Sequence, residues 1–329
     1  MVREEDRESS DVARAQRYVE ARRLAILGAH GKLSYLSQFW VPPRHRSDSP
    51  SPMSHISARV VRFRELHEAG CFVIPNPWDL GSARFLASLG FPALATTSAG
   101  FAWTLGRVDN RVTVEEALVH LGAIASGVTI PVNADFEGAF AIEPAIVETH
   151  VAAATTTGIA GLSIEDSSGD AGAPLFDFAL SVDRVRAARQ AIDGSGTGIV
   201  LTARSEGFIV GRPDLAETIR RLIAYAEAGA DCLYAPGLRA ERDIVAVVGA
   251  VAPKAVNVLV GSDFTTVAKL AEAGVRRISV GGALARAAWT GFATAANEIA
   301  ISGTFTALNA AIPSATVEGF FAGSPPGVR

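Results

Sequence analysis

The stretch IPVNADFEGAF, residues 130–140, begins as an apolar run and ends on Asp135 and Glu137. An ionised carboxylate resists burial unless it is paired or binds a cation. A strand that stops on two acids therefore either reaches solvent or faces something positive, and the other strand ends decide which. Ser98 closes ALATTS and is followed by Ala99-Gly100, while Glu165-Asp166 close GLSIED. Arg204 closes GIVLTAR, Asn257 lies within AVNVLV, and Asp109 follows in LGRVD. Gathered at one mouth, these carboxylates would raise one another's pKa values. A divalent cation held mainly through water relieves that repulsion, and carboxylate oxygen with water suits Mg²⁺ or Mn²⁺. Arg204 then offers a planar fork to a substrate carboxylate.

These residues need a scaffold that brings strand ends together. Short β-branched runs alternate with alanine-rich segments of helical period, and eight runs are found: 71–76, 93–98, 130–136, 161–166, 198–204, 231–236, 255–260 and 277–282. Nearly continuous apolar strands alternating with helices predict a parallel sheet covered on both faces. Eight such units predict a (β/α)8 TIM barrel, whose active site lies at the C-terminal strand ends. The alternative is a doubly wound open sheet. It would want a G-x-G-x-x-G turn after an early strand, where this chain has NPWDLGSA.

Among 329 residues, 49% are hydrophobic and 19% charged, and the formal net charge is −4. That balance gives no electrostatic case for nucleic acid or an anionic membrane as partner. No apolar stretch is long enough to span a bilayer, and the polar start MVREEDRESS is unlike a secretory signal. Cys71 and Cys232, each inside an apolar run, read as reduced thiols of a cytoplasmic protein. Residues 1–57 are expected to form an N-terminal extension, with a helix within 12–40 and a Pro/Ser-rich linker, before a barrel domain at 58–329.

In order and spacing, TTSAG, GRVD, PVNADFEG, SIEDS, TARSEG and VNVLVG resemble the phosphoenolpyruvate mutase/isocitrate lyase superfamily over about residues 60–322. NPWDLGSARFLASLGFPALATTSAG and GVRRISVGGALARAA resemble its less-characterised, phosphonomutase-like branch. The resemblance implies a barrel, a Mg²⁺-bound oxo- or hydroxy-carboxylate, and an enolate-like intermediate held by the Ser98 loop. Ser98 with the N–H groups of Ala99 and Gly100 becomes the candidate oxyanion site. Arg204 and Asn257 become candidate substrate contacts, and Asp109, Asp135, Glu165 and Asn133 the candidate metal set. Glu165 joins Ser98 and Arg204 as a catalytic candidate. The resemblance also implies subunits packed through the final helix, and the apolar segments near 288–312 and VEGFFAG agree with a homodimer or homotetramer.

The departures narrow the chemistry. Superfamily lyases carry D-x-D at strand three; the residue matched to its first Asp is Asn133, and Glu137 is available to compensate. The loop EDSSGDAGAPLFD has no Cys, His or Lys, which argues against a thiol-dependent lyase and weakens a phosphonyl-transfer reading. Ala235-Pro236 stand where lyases place a Glu after strand six. Asp166 is expected beside Arg204, and His67, His120 and His150 are expected on the surface. The expected activity is a Mg²⁺-dependent lyase or decarboxylase acting on a small 2-oxo or 2-hydroxy acid. A P–C bond mutase or hydrolase and an inactive carboxylate-binding barrel are the alternatives.

Overall fold

The computed structural model describes residues 56–322, so the helix expected within 12–40 and the linker after it lie outside the described residues. Eight strands form: β1 Phe72–Ile74, β2 Leu94–Ala95, β3 Val132–Asp135, β4 Gly161–Glu165, β5 Val200–Arg204, β6 Cys232–Tyr234, β7 Ala255–Leu259 and β8 Arg277–Ser279. Their order is β1-β8-β7-β6-β5-β4-β3-β2, and every paired neighbour is parallel. Because β1 pairs with β8, the sheet curls back on itself, and the open doubly wound alternative is excluded. Each strand is shorter than the apolar run that announced it.

The seam between β1 and β2 carries no ladder. One backbone hydrogen bond crosses it, Ala95 N–H to Pro75 O at 3.1 Å. The Asn76 amide completes the join: Nδ2 donates to Thr96 O, and Oδ1 accepts from Val280 N and Gly281 N, each at 2.9 Å.

Helices cover the outside, and their starts are written locally. Asp79 with Ser82 and Thr113 with Glu116 form capping boxes for α2 (Leu80–Ser88) and α4 (Val114–Gly127). Pro144 opens α5 (Pro144–Thr155), where its missing N–H costs nothing. Short α3 (Ser98–Thr104) follows β2 directly, and α6 (Phe178–Ser195), α7 (Leu215–Glu227), α8 (Glu241–Val251) and α9 (Val267–Glu272) alternate with the later strands. The first described helix, α1 (Ala58–Glu68), closes the N-terminal end of the barrel. Its Phe63 is fully buried against Phe72, and Arg64 Nε donates to Gly198 O at 2.6 Å, just before β5. Gly161 opens β4 in that same tight floor: a Cβ there would sit 2.7 Å from the Phe63 ring, 2.8 Å from Asn133 Oδ1 and 3.0 Å from Val200 O. No side chain fits.

The last long helix, α10 (Ala283–Ser302), behaves differently, because Ala285 is its one buried residue. Trp289, Phe292, Ile301 and, after the helix, Phe305 are exposed, the last three by 64%, 83% and 62%. A short helix, α11 (Ser314–Phe321), returns to the body, where Phe320 meets Phe85 of α2. No described helix is long and apolar enough to cross a membrane.

Candidate active site

Arg204, at the end of β5, organises the mouth. Its Nη1 meets Asp135 Oδ1 at 2.7 Å, Nη2 meets Glu165 Oε2 at 3.1 Å, and Nε meets Glu206 Oε1 at 2.8 Å. Three strands therefore deliver acids to one guanidinium: Asp135 from β3, Glu165 from β4, and Glu206 just past β5. Burial works against the Arg204 charge, but Glu206, Glu165 and Asp135 outweigh it and hold its pKa well above the usual value. Burial pushes Glu165 and Glu206 upward, and Arg204 opposes the rise in both. One cation beside three carboxylates leaves the cluster short of positive charge. The ring of Tyr234 lies 5.3 Å from the guanidinium, and burial raises its phenol to about 12.

Glu137 adds a fourth acid without an ion pair among the described residues. Burial, then the charges of Asp135 and Asp109, push its pKa to about 8. Its backbone sits at φ +48°, and Ala139 and Phe140 follow at +56° and +55°. Three non-glycine residues in the left-handed region within one turn is a strained arrangement of the kind that collects at functional sites. The surroundings over-determine it. Arg184, 1% exposed, donates to Gly138 O, Ala141 O and Ile142 O, and His150 Nδ1 bonds Ala139 O at 2.8 Å. His150 was expected on the surface; it instead ties this turn.

The opposite wall is the start of α3. Thr97 is the N-cap, and its hydroxyl accepts from Gly100 N at 3.3 Å. Ser98 N donates to Asp135 Oδ2 at 3.0 Å. Of the N–H groups expected to stabilise an oxyanion, Gly100's is thus taken, and Ala99's has no partner among the described residues. Gly100 is required here, since a Cβ would lie 2.7 Å from Thr97 Cγ2 and 2.8 Å from Trp78 Cβ. Asp109 stands at the rim, raised by burial and by Asp135, with Ser98 and the Asn110 N–H acting in the opposite sense.

Two spaces meet here. A central cavity of about 170 Å³ is lined by Ser98, Ala99, Asp135, Arg204, Glu206 and Arg277 among others. A neighbouring cleft of about 770 Å³ takes Glu137 and Glu165, and Asp109 borders both. Asp135, Glu165 and Asp109 do converge on this region. Among the described residues, however, no three His, Cys, Asp or Glu side chains approach closely enough to cage an ion directly.

Asn133 does not come to the mouth. Its Nδ2 donates to Ala134 O at 3.0 Å, and its Oδ1 lies beside Gly161 and Phe63 in the barrel floor, buried and without a hydrogen bond. The acidic pair at this strand end is Asp135 and Glu137, one pleat later than Asn133. Asn257 lines the cavity, but its amide already serves Ser279 Oγ and Arg277 Nε, each at 2.9 Å.

Asp166 pairs with Arg221 at 3.1 Å, accepts from Tyr225 Oη at 2.6 Å, and holds Glu206 N at 2.8 Å. Its backbone N–H also meets Arg204 O at 3.3 Å, so Asp166 does lie beside Arg204, but its carboxylate forms no ion pair with that guanidinium. His67 packs between Phe63 and Phe72, and His120 stacks on Phe101 at 3.8 Å; both are half-buried rather than fully exposed. Sequence reasoning gave Glu206 no role and passed over Tyr234 and Arg277. For Glu206 the signal was present in TARSEG, as period two puts it on the same side as Arg204.

A sequence profile described as phosphoenolpyruvate phosphomutase matches residues 63–300. A crystal structure of a lyase/mutase-type protein from Burkholderia cenocepacia J2315 superposes with a TM-score of 0.77 and 44% identity, covering 80% of this chain and 95% of its own. A 2,3-dimethylmalate lyase structure, 25% identical, gives 0.71 over 80% of this chain and 94% of its own. An oxaloacetate decarboxylase of Bradyrhizobium diazoefficiens (strain USDA 110) is 28% identical over 189 residues, 55% of this chain and 64% of that protein.

Proposed function

Because the chain belongs to the phosphoenolpyruvate phosphomutase family and is an enzyme of the phosphoenolpyruvate mutase/isocitrate lyase superfamily, we propose that it is a divalent-metal-dependent lyase cleaving a C–C bond, or removing CO₂, next to the carboxylate of a small 2-oxo or 2-hydroxy acid. One observation carries the reading: four acids gather with the Arg204 guanidinium, three of them bound to it, beside a small cavity whose far wall is a helix start. The named activities of the dimethylmalate lyase and the oxaloacetate decarboxylase support the choice.

The donor set fits Mg²⁺ or Mn²⁺. It is all oxygen, it is short of positive charge, and Glu137 is buried with no cation of its own. Asp135, Glu137, Glu165 and Asp109 would hold the ion, largely through water. Bound there, the metal would supply Lewis acidity to a substrate oxygen. Arg204 bonds Asp135, Glu165 and Glu206 and holds them in place. The Ala99 N–H and the Ser98 hydroxyl, which line the cavity, would stabilise charge developing on the substrate's oxygen as the bond breaks.

Purified enzyme with Mg²⁺ or Mn²⁺ is expected to release pyruvate or CO₂ from one of a panel of small oxo- and hydroxy-acids, and EDTA is expected to stop it. Turnover of phosphonopyruvate alone would shift the reading to P–C chemistry. No turnover of any substrate, with metal bound, would reduce the barrel to a binder.

Assembly belongs to the same proposal. The exposed aromatic and aliphatic residues from Trp289 to Ile312 form a face that water disfavours, and a homodimer or homotetramer would cover it. Light scattering at micromolar concentration is expected to give a multiple of the 34.3 kDa chain mass. A stable monomer would refute it.

A further inference from the structure

Arg277 opens β8 and is 3% exposed. Along one cross-strand row the partners run Glu165, Arg204, Tyr234, Asn257, Arg277, so two arginines stand in the same row three strands apart. The Arg277 side chain crosses the lumen. Nη2 donates to Thr202 Oγ1 on β5 at 3.0 Å, Nε donates to Asn257 Oδ1 on β7 at 2.9 Å, and Nη1 lies 3.3 Å from His67 Nε2 on α1. The last contact fixes a tautomer. His67 Nδ1 is 2.7 Å from Phe63 O, a pure acceptor, so Nδ1 carries the proton and Nε2 accepts from Arg277. Burial, then the Arg277 charge, keeps this imidazole neutral, with its pKa lowered to about 3.

All three partners are therefore uncharged. The other arginines buried this deeply are served differently: Arg221 has Asp166 and Glu217, and Arg184 has three backbone carbonyls under the Phe176 ring. Arg277 has no carboxylate within ion-pairing distance among the described residues, yet it lines the central cavity. Two of its five N–H bonds are not engaged. A buried charge without a counter-charge is an expensive arrangement, and one that an incoming anion relieves.

The two arginines of the cavity thus differ in what they offer. An anion approaching Arg204 meets a guanidinium whose Nη1, Nη2 and Nε are already bound to three acids. An anion approaching Arg277 meets a cation surrounded by neutral groups.

We propose that Arg277 is the anion-binding and specificity-determining residue at the cavity floor, receiving a second carboxylate of the substrate while the first lies by the acidic cluster. The inference rests on the lyase reading only in taking this cavity as the substrate pocket. Arg204 then holds the acids, and Arg277 selects the ligand. Thr202, Asn257 and neutral His67 are positioning residues that aim its fork.

The full-length protein with Mg²⁺ would be titrated calorimetrically with malonate and with acetate. Malonate is expected to bind wild type at least tenfold more tightly. Arg277→Lys keeps the charge but loses the fork, and Arg277→Met loses both. Malonate affinity should fall about tenfold in the first and further in the second, with acetate unchanged and circular dichroism native in each. A folded Arg277→Met protein that binds malonate like wild type would overturn the proposal. So would a wild type that does not prefer malonate to acetate, a comparison that stands even if both variants fail to fold. A wild type that prefers malonate but turns over no substrate would instead sink the lyase reading and leave this one standing.

Discussion

Replacing Arg204 by methionine is expected to cost about 3–5 kcal/mol of stability at pH 8, the range found when one partner of a buried ion pair is removed. Asp135, Glu165 and Glu206 would then share the mouth with no cation bound to them. Glu165 and Glu206, already raised by burial and deprived of the opposing Arg204 charge, would take up protons, so the deficit should shrink steadily as pH falls from 8 to 5. Arg204→Lys keeps one charge but cannot reach three carboxylates at once, and should fall between methionine and wild type. Denaturant melts of the three proteins at both pH values check this. If Arg204→Met matches wild type at pH 8, the guanidinium is not what holds the acids together.

The second large effect is a pH-dependent coupling between metal and Glu137. Its folded-state pKa, about 8, lies above the usual value of 4.5. A carboxyl raised in this way contributes stability that is present below pH 4.5 and lost as pH climbs toward 8. The metal-free protein should therefore lose up to about 5 kcal/mol across that window from this group, by the relation of pKa shift to free energy. A divalent ion needs the ionised form. Its affinity should rise with pH by up to about tenfold per unit below 8 and level off above it, because binding must expel the proton. Calorimetry with Mg²⁺ at pH 6.5, 7.5 and 8.5 gives the slope directly. Glu137→Gln should bind more weakly and with a flatter profile; a variant with an unchanged slope would mean that Glu137 lies outside the metal's reach.

The barrel was legible because its evidence repeats. Eight apolar runs, each followed by a helical segment, leave few topologies open. The mouth was legible only in part. Asn133, Asp135 and Glu137 share one face of β3 by the period of two, and sequence does not reveal which of the three stands level with the rim. That depends on the stagger between neighbouring strands, which is a property of the closed barrel. The strand-three motif was accordingly placed one pleat too deep. Arg277 was missed for a related reason. Arg276 and Arg277 are adjacent and chemically identical, yet one points outward, to Gly70 O, and the other into the lumen. The histidines were misjudged because their helical segments gave no hint of which face would meet Phe63, Phe101 or the strained turn.

The seam between β1 and β2 gives the two sides of the mouth unequal freedom. The acids stand on β3, β4 and the end of β5, which are stitched to one another by continuous ladders. The Ser98 segment leaves β2 on one side of the seam, Gly281 and Gly282 leave β8 beyond the other, and Asn76 joins them. Spreading that side exchanges a few hydrogen bonds, at about 1 kcal/mol net each, for water; spreading the acidic side would tear a sheet. The mouth therefore works like a vice with one fixed jaw. The acids and the Ser98 segment form that jaw, since β2 is laddered to β3 and Ser98 N bonds Asp135, and the β1–β8 side with Gly281 and Gly282 can adjust to the molecule held between them.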